Sequence, residues 1–198
     1  LIEDEHPDIF DNEMVKLLKQ SSDSLTETVK HLLEVVEINL NSNKNLEPIN
    51  LLKSVEKNLN GINSLFNNES FEVNVNIPSN IAVMAYPAYL DSIILNFITN
   101  SIKYKNPDVE PNYLNISAIE IDHDVQILFE DNGLGFNLKR DGEKLFGLYK
   151  TFHKGKNSKG IGLFITKNQI EAIGGSISVE SEELKGTKFI INLKNGRN

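Results

Sequence analysis

The segment Asp-Asn-Gly-Leu-Gly at residues 131–135 follows an alternating apolar run at 125–129, a pattern that predicts a β-strand. A carboxylate at a strand end can accept a hydrogen bond from the exocyclic amine of a nucleobase. The two glycines let the backbone approach a ligand closely and tolerate positive φ. By itself, the pentapeptide is more typical of a strand that ends in an Asn-Gly turn, so the surrounding sequence decides its interpretation.

Composition bounds the class of protein. The chain has 198 residues, enough for one domain and an additional element, with 39% hydrophobic and 24% charged residues. A net charge of −8 argues against nucleic-acid binding, and the absence of cysteine excludes disulfides and thiolate metal sites. The four histidines lack the spacing of a zinc site, and no apolar run approaches the 18 residues that a membrane-spanning helix needs. Because the chain starts at Leu1, we expect an excised fragment.

The charges are unevenly distributed. Residues 1–37 are strongly acidic, whereas 139–159 contains seven lysines and arginines against two acidic residues. Such a stretch is commonly only a solvated loop. Its glycine and its place after the predicted pocket favour a phosphate partner.

The N-terminal region predicts one long helix over residues 11–40. Leu18, Leu25 and Leu32 repeat every seven residues and form a coiled-coil-like seam. Such a stripe needs a partner helix, which we expect to lie outside this chain. The polar segment 41–45 is the candidate linker.

The remaining sequence predicts an α+β fold, a two-layer α/β sandwich in which helices cover one face of a mixed sheet. The helices are predicted from residue 51 to 62, over 87–104 and over 161–173. The strands are predicted at 71–77, 81–84, 113–121, 125–130, 175–181 and 187–193.

The predicted helix 87–104 carries a polar group on an otherwise apolar segment. Asn96 and Asn100 are four residues apart and share a face, and amide oxygens are suitable ligands for Mg²⁺. Lys103 could reach a phosphate, and Tyr104 could stack on a purine. Asparagines that bind nearby backbone at a helix end are the alternative.

A second glycine segment, Gly160-Ile-Gly162-Leu163, opens the predicted helix 161–173. The N-terminus of a helix presents free N–H groups and the positive end of the helix dipole to an anion. Glycines that only form a tight loop would explain the same residues. The segment is neither a P-loop nor a Rossmann fingerprint.

The order of these segments is more specific than any of them. Four segments follow one another along the chain: Asn-x-x-x-Asn on a helix, Asp-x-Gly-x-Gly after a strand, a basic loop, and Gly-x-Gly-Leu before a helix. Over about residues 48–194 the sequence resembles the catalytic and ATP-binding domain of sensor histidine kinases. These kinases belong to the gyrase, chaperone, histidine kinase and MutL ATPase superfamily.

The resemblance implies ATP and Mg²⁺ as cofactors, with Asn100 as a metal ligand and Asn96 in support. Asp131 would bind the adenine amine, while Phe146 and Phe152 would anchor a mobile lid. The implied nucleotide-binding residues are Asn96, Asn100, Lys103, Tyr104, Asp131, Gly133, Gly135, Phe146, Phe152, His153, Lys154, Lys156, Gly160, Gly162 and Leu163.

The implied function is transfer of the γ-phosphate of ATP to a histidine, followed by relay to an aspartate of a response regulator. Hydrolysing members of the superfamily carry Glu at the position of Asn96, and an amide is no general base at neutral pH. None of the four histidines lies in an acceptor box, so the phosphoacceptor is unassigned. We therefore expect that this fragment alone does not autophosphorylate.

The resemblance also implies an organisation. Residues 1–45 would be the second helix of a dimerisation hairpin with its linker, and 46–198 the catalytic domain. The expected partners are a response regulator receiver domain, the chain's own acceptor helix outside this fragment, and a second copy in a full-length homodimer. We expect a cytoplasmic location without membrane contact by this fragment, and leave open whether the full-length protein is anchored. A non-catalytic nucleotide-binding module and an ATP-hydrolysing ATPase remain alternatives.

Overall fold

A computed structural model describes residues 14–22, 25–26, 29, 33, 45–62, 71–142, 145–147 and 160–197. The chain divides into two compact units, Leu1–Leu40 and Asn41–Asn198. The assignment of residues 1–45 to a dimerisation region stays a prediction. Among the described residues, no helix has both the length and the hydropathy of a membrane span.

The first unit is helical at 14–22 and at the other described positions up to 33. Leu18 and Leu25 of the predicted seam each expose 66% of their surface, whereas Leu32 lies outside the described residues. Leu17 and Leu33, which lie outside the predicted seam, are exposed as well, at 54% and 57%. Within the described part of this unit, the predicted seam is therefore accessible to a partner.

The second unit contains seven strands and four helices within the described residues. The strands are β1 Glu47–Asn50, β2 Phe71–Asn76, β3 Ala82–Ala85, β4 Asn112–Ile121, β5 Asp124–Asp131, β6 Ser176–Glu182 and β7 Gly186–Lys194. The helices are α1 Leu51–Gly61, α2 Pro87–Lys103, α3 Leu138–Asp141 and α4 Gly162–Ala172.

Five strands form the main sheet in the order β2-β4-β5-β7-β6. The pair β2–β4 is parallel and the other three pairs are antiparallel, so the sheet is mixed as predicted. Strands β1 and β3 form a separate antiparallel pair. The register aligns Leu114, Asp131 and Thr187 across three neighbouring strands, so their side chains share one face.

Within the described part of the chain, the main sheet buries one of its two faces. Leu114, Phe129 and Ile191 on that face expose 2% of their surface or less. Helix α2 packs there through Phe97, whose ring lies 4.9 Å from that of Phe129 and 4.8 Å from that of Phe189. The opposite face carries cross-strand amide pairs, such as Asn74 Nδ2 donating to Asn115 Oδ1 at 3.1 Å.

The predicted fold class is confirmed, and the elements predicted from residue 51 onward lie within a few residues of the observed ones. The predicted helix 11–40 is helical at the positions that the structure describes, and its remaining residues lie outside them. Strand β1 and the short helix α3 were not predicted. Strand β1 has only four residues and contains Pro48, which breaks the apolar alternation by which strands are detected. Helix α3 is a single turn capped by the Asn137 side chain, which accepts from Arg140 N.

We expect Phe97→Ala to lower the free energy of unfolding by about 3–5 kcal/mol, because it leaves a cavity between two aromatic rings of the sheet. Leu95→Ala on the same helix is the control, since Leu95 is 38% exposed and should cost well under half as much. Urea denaturation measures both. Equal losses for the two variants would contradict the central position of Phe97.

Candidate nucleotide-binding site

Asp131 ends strand β5 on the buried face of the sheet and is held by three donors. Its Oδ1 accepts from the N–H of Gly133 at 2.9 Å and from that of Thr187 at 3.2 Å. Its Oδ2 accepts from the Ser101 hydroxyl of α2 at 3.2 Å. The first oxygen is therefore occupied by backbone, while the second retains capacity to accept a hydrogen bond from a ligand.

Burial raises the pKa of Asp131 above its ordinary value of 3.8. The hydrogen bonds from Gly133, Ser101 and Thr187 oppose this shift and Glu130 adds to it, but desolvation is the largest cause. A carboxylate that is desolvated more than its partners compensate reduces stability when ionised. Such a group at the end of a strand is a candidate for a functional rather than a structural role.

The segment after Asp131 is fixed on both sides. The N–H of Leu134 donates to the Tyr104 carbonyl at 2.8 Å, which joins the segment to the end of α2. Gly135 has φ +54°, and a Cβ there would collide with the Glu182 carbonyl of strand β6. The chain thus passes closely between α2 and the β6–β7 turn, and a side chain at 135 would prevent this path.

Asn96 and Asn100 lie on one face of α2, as predicted, and both are half-buried. Asn100 Nδ2 donates to Asn96 Oδ1 at 3.3 Å, and Asn96 Nδ2 donates to Thr166 Oγ1 of α4 at 2.6 Å. Gly162 adjoins this pair, since a Cβ at 162 would lie 2.7 Å from Asn96 Oδ1. The asparagines therefore connect α2 to the first turns of α4.

Lys103 and Tyr104 lie together at the end of α2. The Lys103 ammonium is 5.8 Å from the centre of the Tyr104 ring, and the Tyr104 N–H donates to the Asn100 carbonyl at 2.9 Å. This arrangement puts a cation and an aromatic ring beside the Asp131 segment, to which Tyr104 is bonded through its carbonyl. Their predicted contacts with phosphate and adenine stay predictions.

The second glycine segment leads into α4. Gly160 has φ +65°, Ile161 is buried, and α4 begins at Gly162 with Leu163 in its first turn. The N-cap residue, Ile161, has no side chain that could accept from the first N–H groups of α4, and the first N–H groups of a helix are suited to bind an anion.

Of the predicted lid, only Phe146 is described. The Lys167 ammonium of α4 lies 5.6 Å from the centre of its ring. Phe152, His153, Lys154 and Lys156 lie outside the described residues, and their predicted roles stay predictions.

Three residues that support the site were not predicted: Ser101 and Thr187 beside Asp131, and Thr166 beside Asn96. Ser101 follows Asn100 directly, and its polarity on an apolar helix was a detectable signal. Thr187 and Thr166 reach the site only through strand pairing and helix packing, which periodicity does not specify.

The donor set fits a nucleotide with a magnesium ion. Among the described residues, no hydrogen bond is made to Asn100 Oδ1, a hard oxygen of the kind that Mg²⁺ prefers. No cluster of three or more histidine and acidic side chains within that part of the chain could hold a metal by itself. A metal here would therefore share its coordination between amide oxygen, phosphate and water.

Comparison with known proteins agrees with this geometry. Residues 85–197 match the family described as histidine kinase-, DNA gyrase B- and HSP90-like ATPase. Sensor protein SrrB of Staphylococcus aureus is 28% identical over 191 residues, which are 91% of this chain and 31% of that protein. The chain thus spans about a third of the length of the curated relatives it matches.

Solved structures share the fold. Acinetobacter baumannii histidine kinase AdeS superposes with a TM-score of 0.71 at 20% identity, covering 92% of this chain and 85% of that one. Full-length ShkA, solved in complex with AMPPNP, gives a TM-score of 0.73 at 20% identity, with 92% and 38% covered.

We expect Asp131→Asn to gain stability relative to wild type as pH rises from about 4. With the pKa of Asp131 raised, the native state holds its proton more tightly than the unfolded chain, so wild-type stability falls as pH rises from 3.8 to the folded pKa. Above the folded pKa, the free-energy cost of the buried carboxylate no longer changes with pH, and substitution by asparagine removes that cost. Urea denaturation of the wild type and of Asp131→Asn over this pH range measures the difference in their free energies of unfolding. A variant that loses stability relative to wild type as pH rises would contradict the raised pKa of Asp131.

Proposed function

This chain belongs to the histidine kinase-, DNA gyrase B- and HSP90-like ATPase family and carries an ATP-binding catalytic domain of the type found in sensor histidine kinases; from that premise we propose that it transfers the γ-phosphate of ATP to a histidine. The recipient histidine would lie on an acceptor helix outside this chain. The phosphate would then pass to the aspartate of a response regulator receiver domain.

The observation that carries the proposal is the convergence of two elements, strand β5 and helix α4, on α2. Ser101 binds the Asp131 carboxylate, and Asn96 binds Thr166 in the first turns of α4. The candidate adenine residue and the candidate phosphate segment are thus both attached to the helix that bears Asn100. Phosphoryl transfer depends chiefly on positioning and charge neutralisation, which such an arrangement supplies.

Each group has a distinct role in the proposal. Asp131 Oδ2 accepts a hydrogen bond from the adenine amine, while Gly133 and Gly135 keep the pocket open to the base. Asn100 offers its amide oxygen to Mg²⁺, and the N-terminus of α4, including Gly162 and Leu163, offers N–H groups to phosphate. A bound Mg²⁺ would neutralise phosphate charge and orient the γ-phosphate.

Lys103 and the lid residues His153, Lys154 and Lys156 would contribute positive charge to the phosphates. Tyr104 would flank the adenine, and Phe146 and Phe152 would anchor the lid. These assignments follow the family pattern, and the cation–ring contact between Lys167 and Phe146 supports an anchoring position for Phe146.

The hydrogen bonds of the Asn96 side chain favour phosphoryl transfer over hydrolysis of ATP. Its Nδ2 is bound to Thr166 and its Oδ1 accepts from Asn100, so neither atom could activate a water molecule. This also makes Asn96 a support for Asn100 more than a metal ligand in its own right. A water-activating residue would have to come from elsewhere for the domain to act as a steady ATPase.

The proposed assembly follows from the exposed stripe of the first unit. Leu18, Leu25 and their neighbours would pack against the acceptor helix, and two copies of the longer protein would form a helical dimer. We place this fragment in the cytoplasm, without membrane contact and without a nucleic-acid partner.

The longer parent protein, incubated with Mg²⁺ and ATP labelled on the γ-phosphate, should acquire acid-labile and base-stable label on histidine. Asn100→Ala should abolish labelling, whereas Asn74→Ala on the open face of the sheet is the matched control and should not. The present fragment alone should remain unlabelled.

Two other outcomes would contradict the proposal. Steady release of phosphate without labelled protein would indicate an ATPase. Nucleotide binding without transfer would indicate a regulatory module.

A further inference from the structure

We propose that Asn132 is a positioning residue that holds the Asp131 carboxylate so that its Oδ2 meets the adenine amine. The inference rests on the proposed ATP site and adds to it a residue with no ligand contact of its own. Asn132 directly follows Asp131 in the chain, and it is half-buried beside the start of β4.

The Asn132 amide has a single orientation, because both of its partners belong to the backbone. Its Oδ1 accepts from the Tyr113 N–H at 2.8 Å, and its Nδ2 donates to the Pro111 carbonyl at 3.0 Å. A peptide N–H can only donate and a peptide carbonyl can only accept. Exchange of the two ends of the amide would therefore break both hydrogen bonds.

These two hydrogen bonds fasten residue 132 at the point where the strand ladder ends. Strand β5 stops at Asp131, which pairs with Leu114 of β4. One residue further on, the side chain of Asn132 continues the contact with β4 by binding Tyr113. The backbone can therefore turn away from the sheet at Gly133 while residue 132 stays attached to it.

Anchoring of Asn132 restrains the next N–H group, because the peptide between residues 132 and 133 carries it. The Gly133 N–H points back and donates to Asp131 Oδ1 at 2.9 Å, which closes an Asx turn. The same oxygen accepts from the Thr187 N–H at 3.2 Å, so two backbone groups fix the plane of the carboxylate. Its other oxygen, Oδ2, then has one position, which is the one proposed to meet the adenine amine.

The connection to which Asn132 binds is itself held together by hydrogen bonds. Pro111 lies between α2 and β4, next to Asn112, which exposes 6% of its surface. Asn112 Oδ1 accepts from the Asn106 N–H at 2.9 Å, and its Nδ2 donates to the carbonyls of Asn106 at 3.0 Å and Val109 at 2.7 Å. The connection therefore gives Asn132 a fixed support.

A purely structural role is the competing explanation, and Asn50 provides a matched control. Its Oδ1 accepts from the Lys53 N–H at 2.9 Å and its Nδ2 donates to the Ser79 carbonyl at 2.7 Å, so it spans the same two kinds of backbone group. These partners belong to α1 and to the turn before β3. Asn50→Ala therefore removes a comparable pair of hydrogen bonds at a place that makes no described contact with Asp131.

The experiment measures the Kd values of ADP and IDP by titration calorimetry and takes their ratio as the amine preference. Asn132→Ala should reduce the amine preference of the wild type by about three- to tenfold, the loss expected when one hydrogen bond is misplaced. The Kd of IDP should rise by less than about twofold, because inosine has no 6-amino group for Asp131 to bind. Asn50→Ala should keep the wild-type ratio.

Carbon-13 NMR of the Asp131 carboxyl group gives a second readout. Burial has the largest effect and raises the pKa of Asp131, while the hydrogen bond from Gly133 opposes that rise. Asn132→Ala should therefore raise the pKa of Asp131 above its wild-type value, whereas Asn50→Ala should leave it unchanged. Thermal unfolding verifies that each variant folds, and Asn132→Leu, which keeps the branched shape without either hydrogen bond, replaces alanine should that variant not fold.

The outcomes separate this inference from the function on which it rests. A wild-type protein that binds neither nucleotide would overturn both, and one that binds the two equally would overturn the inference together with the adenine role of Asp131. A wild-type preference that persists in Asn132→Ala would overturn the inference alone. Equal losses of affinity for ADP and IDP, the same fall in Asn50→Ala, or an unchanged pKa of Asp131 in the folded Asn132 variant would do so as well.

Discussion

The packing of α2 on the sheet through Phe97 is the contact on which the rest of the site depends. The ring lies between Phe129 and Phe189 and, with the other buried residues of α2, holds the helix against the sheet. With that side buried, Ser101 is directed at Asp131, and the asparagine face is directed at α4. The same helix thereby sets the base end and the phosphate end of the candidate site, although its two partners are separated by the whole lid segment in sequence.

The buried carboxylate of Asp131 lowers the stability of the fold. Asp131 occupies the last position of a row that is otherwise apolar, and its raised pKa shows that three hydrogen bonds do not offset its desolvation. A sequence selected for stability alone would place a neutral residue there. The cost is understandable if the second carboxylate oxygen serves a ligand, because a hydrogen bond to a charged group contributes more than one between neutral groups.

The sequence predicted the fold class and nearly all elements of the catalytic unit, because apolar alternation is a local property of each segment. The order of the motifs along the chain indicated the family. The sequence also placed Asn96 and Asn100 on one face of α2 from their spacing alone, as the structure confirms. It could not predict the contacts of Thr166 or Thr187, which arise only when α4 and β7 reach α2 and β5. Strand β1 escaped detection because four residues with a proline carry almost no periodic pattern.

The proposed site depends most on recognition of the 6-amino group of adenine by Asp131, and paired titrations with ADP and IDP test this recognition most directly. Inosine presents an oxygen in place of the amine, so the carboxylate would face an acceptor. Wild type should bind ADP about tenfold or more tightly than IDP, and Asp131→Asn should remove this preference. Equal affinity of the wild-type protein for the two nucleotides would contradict it.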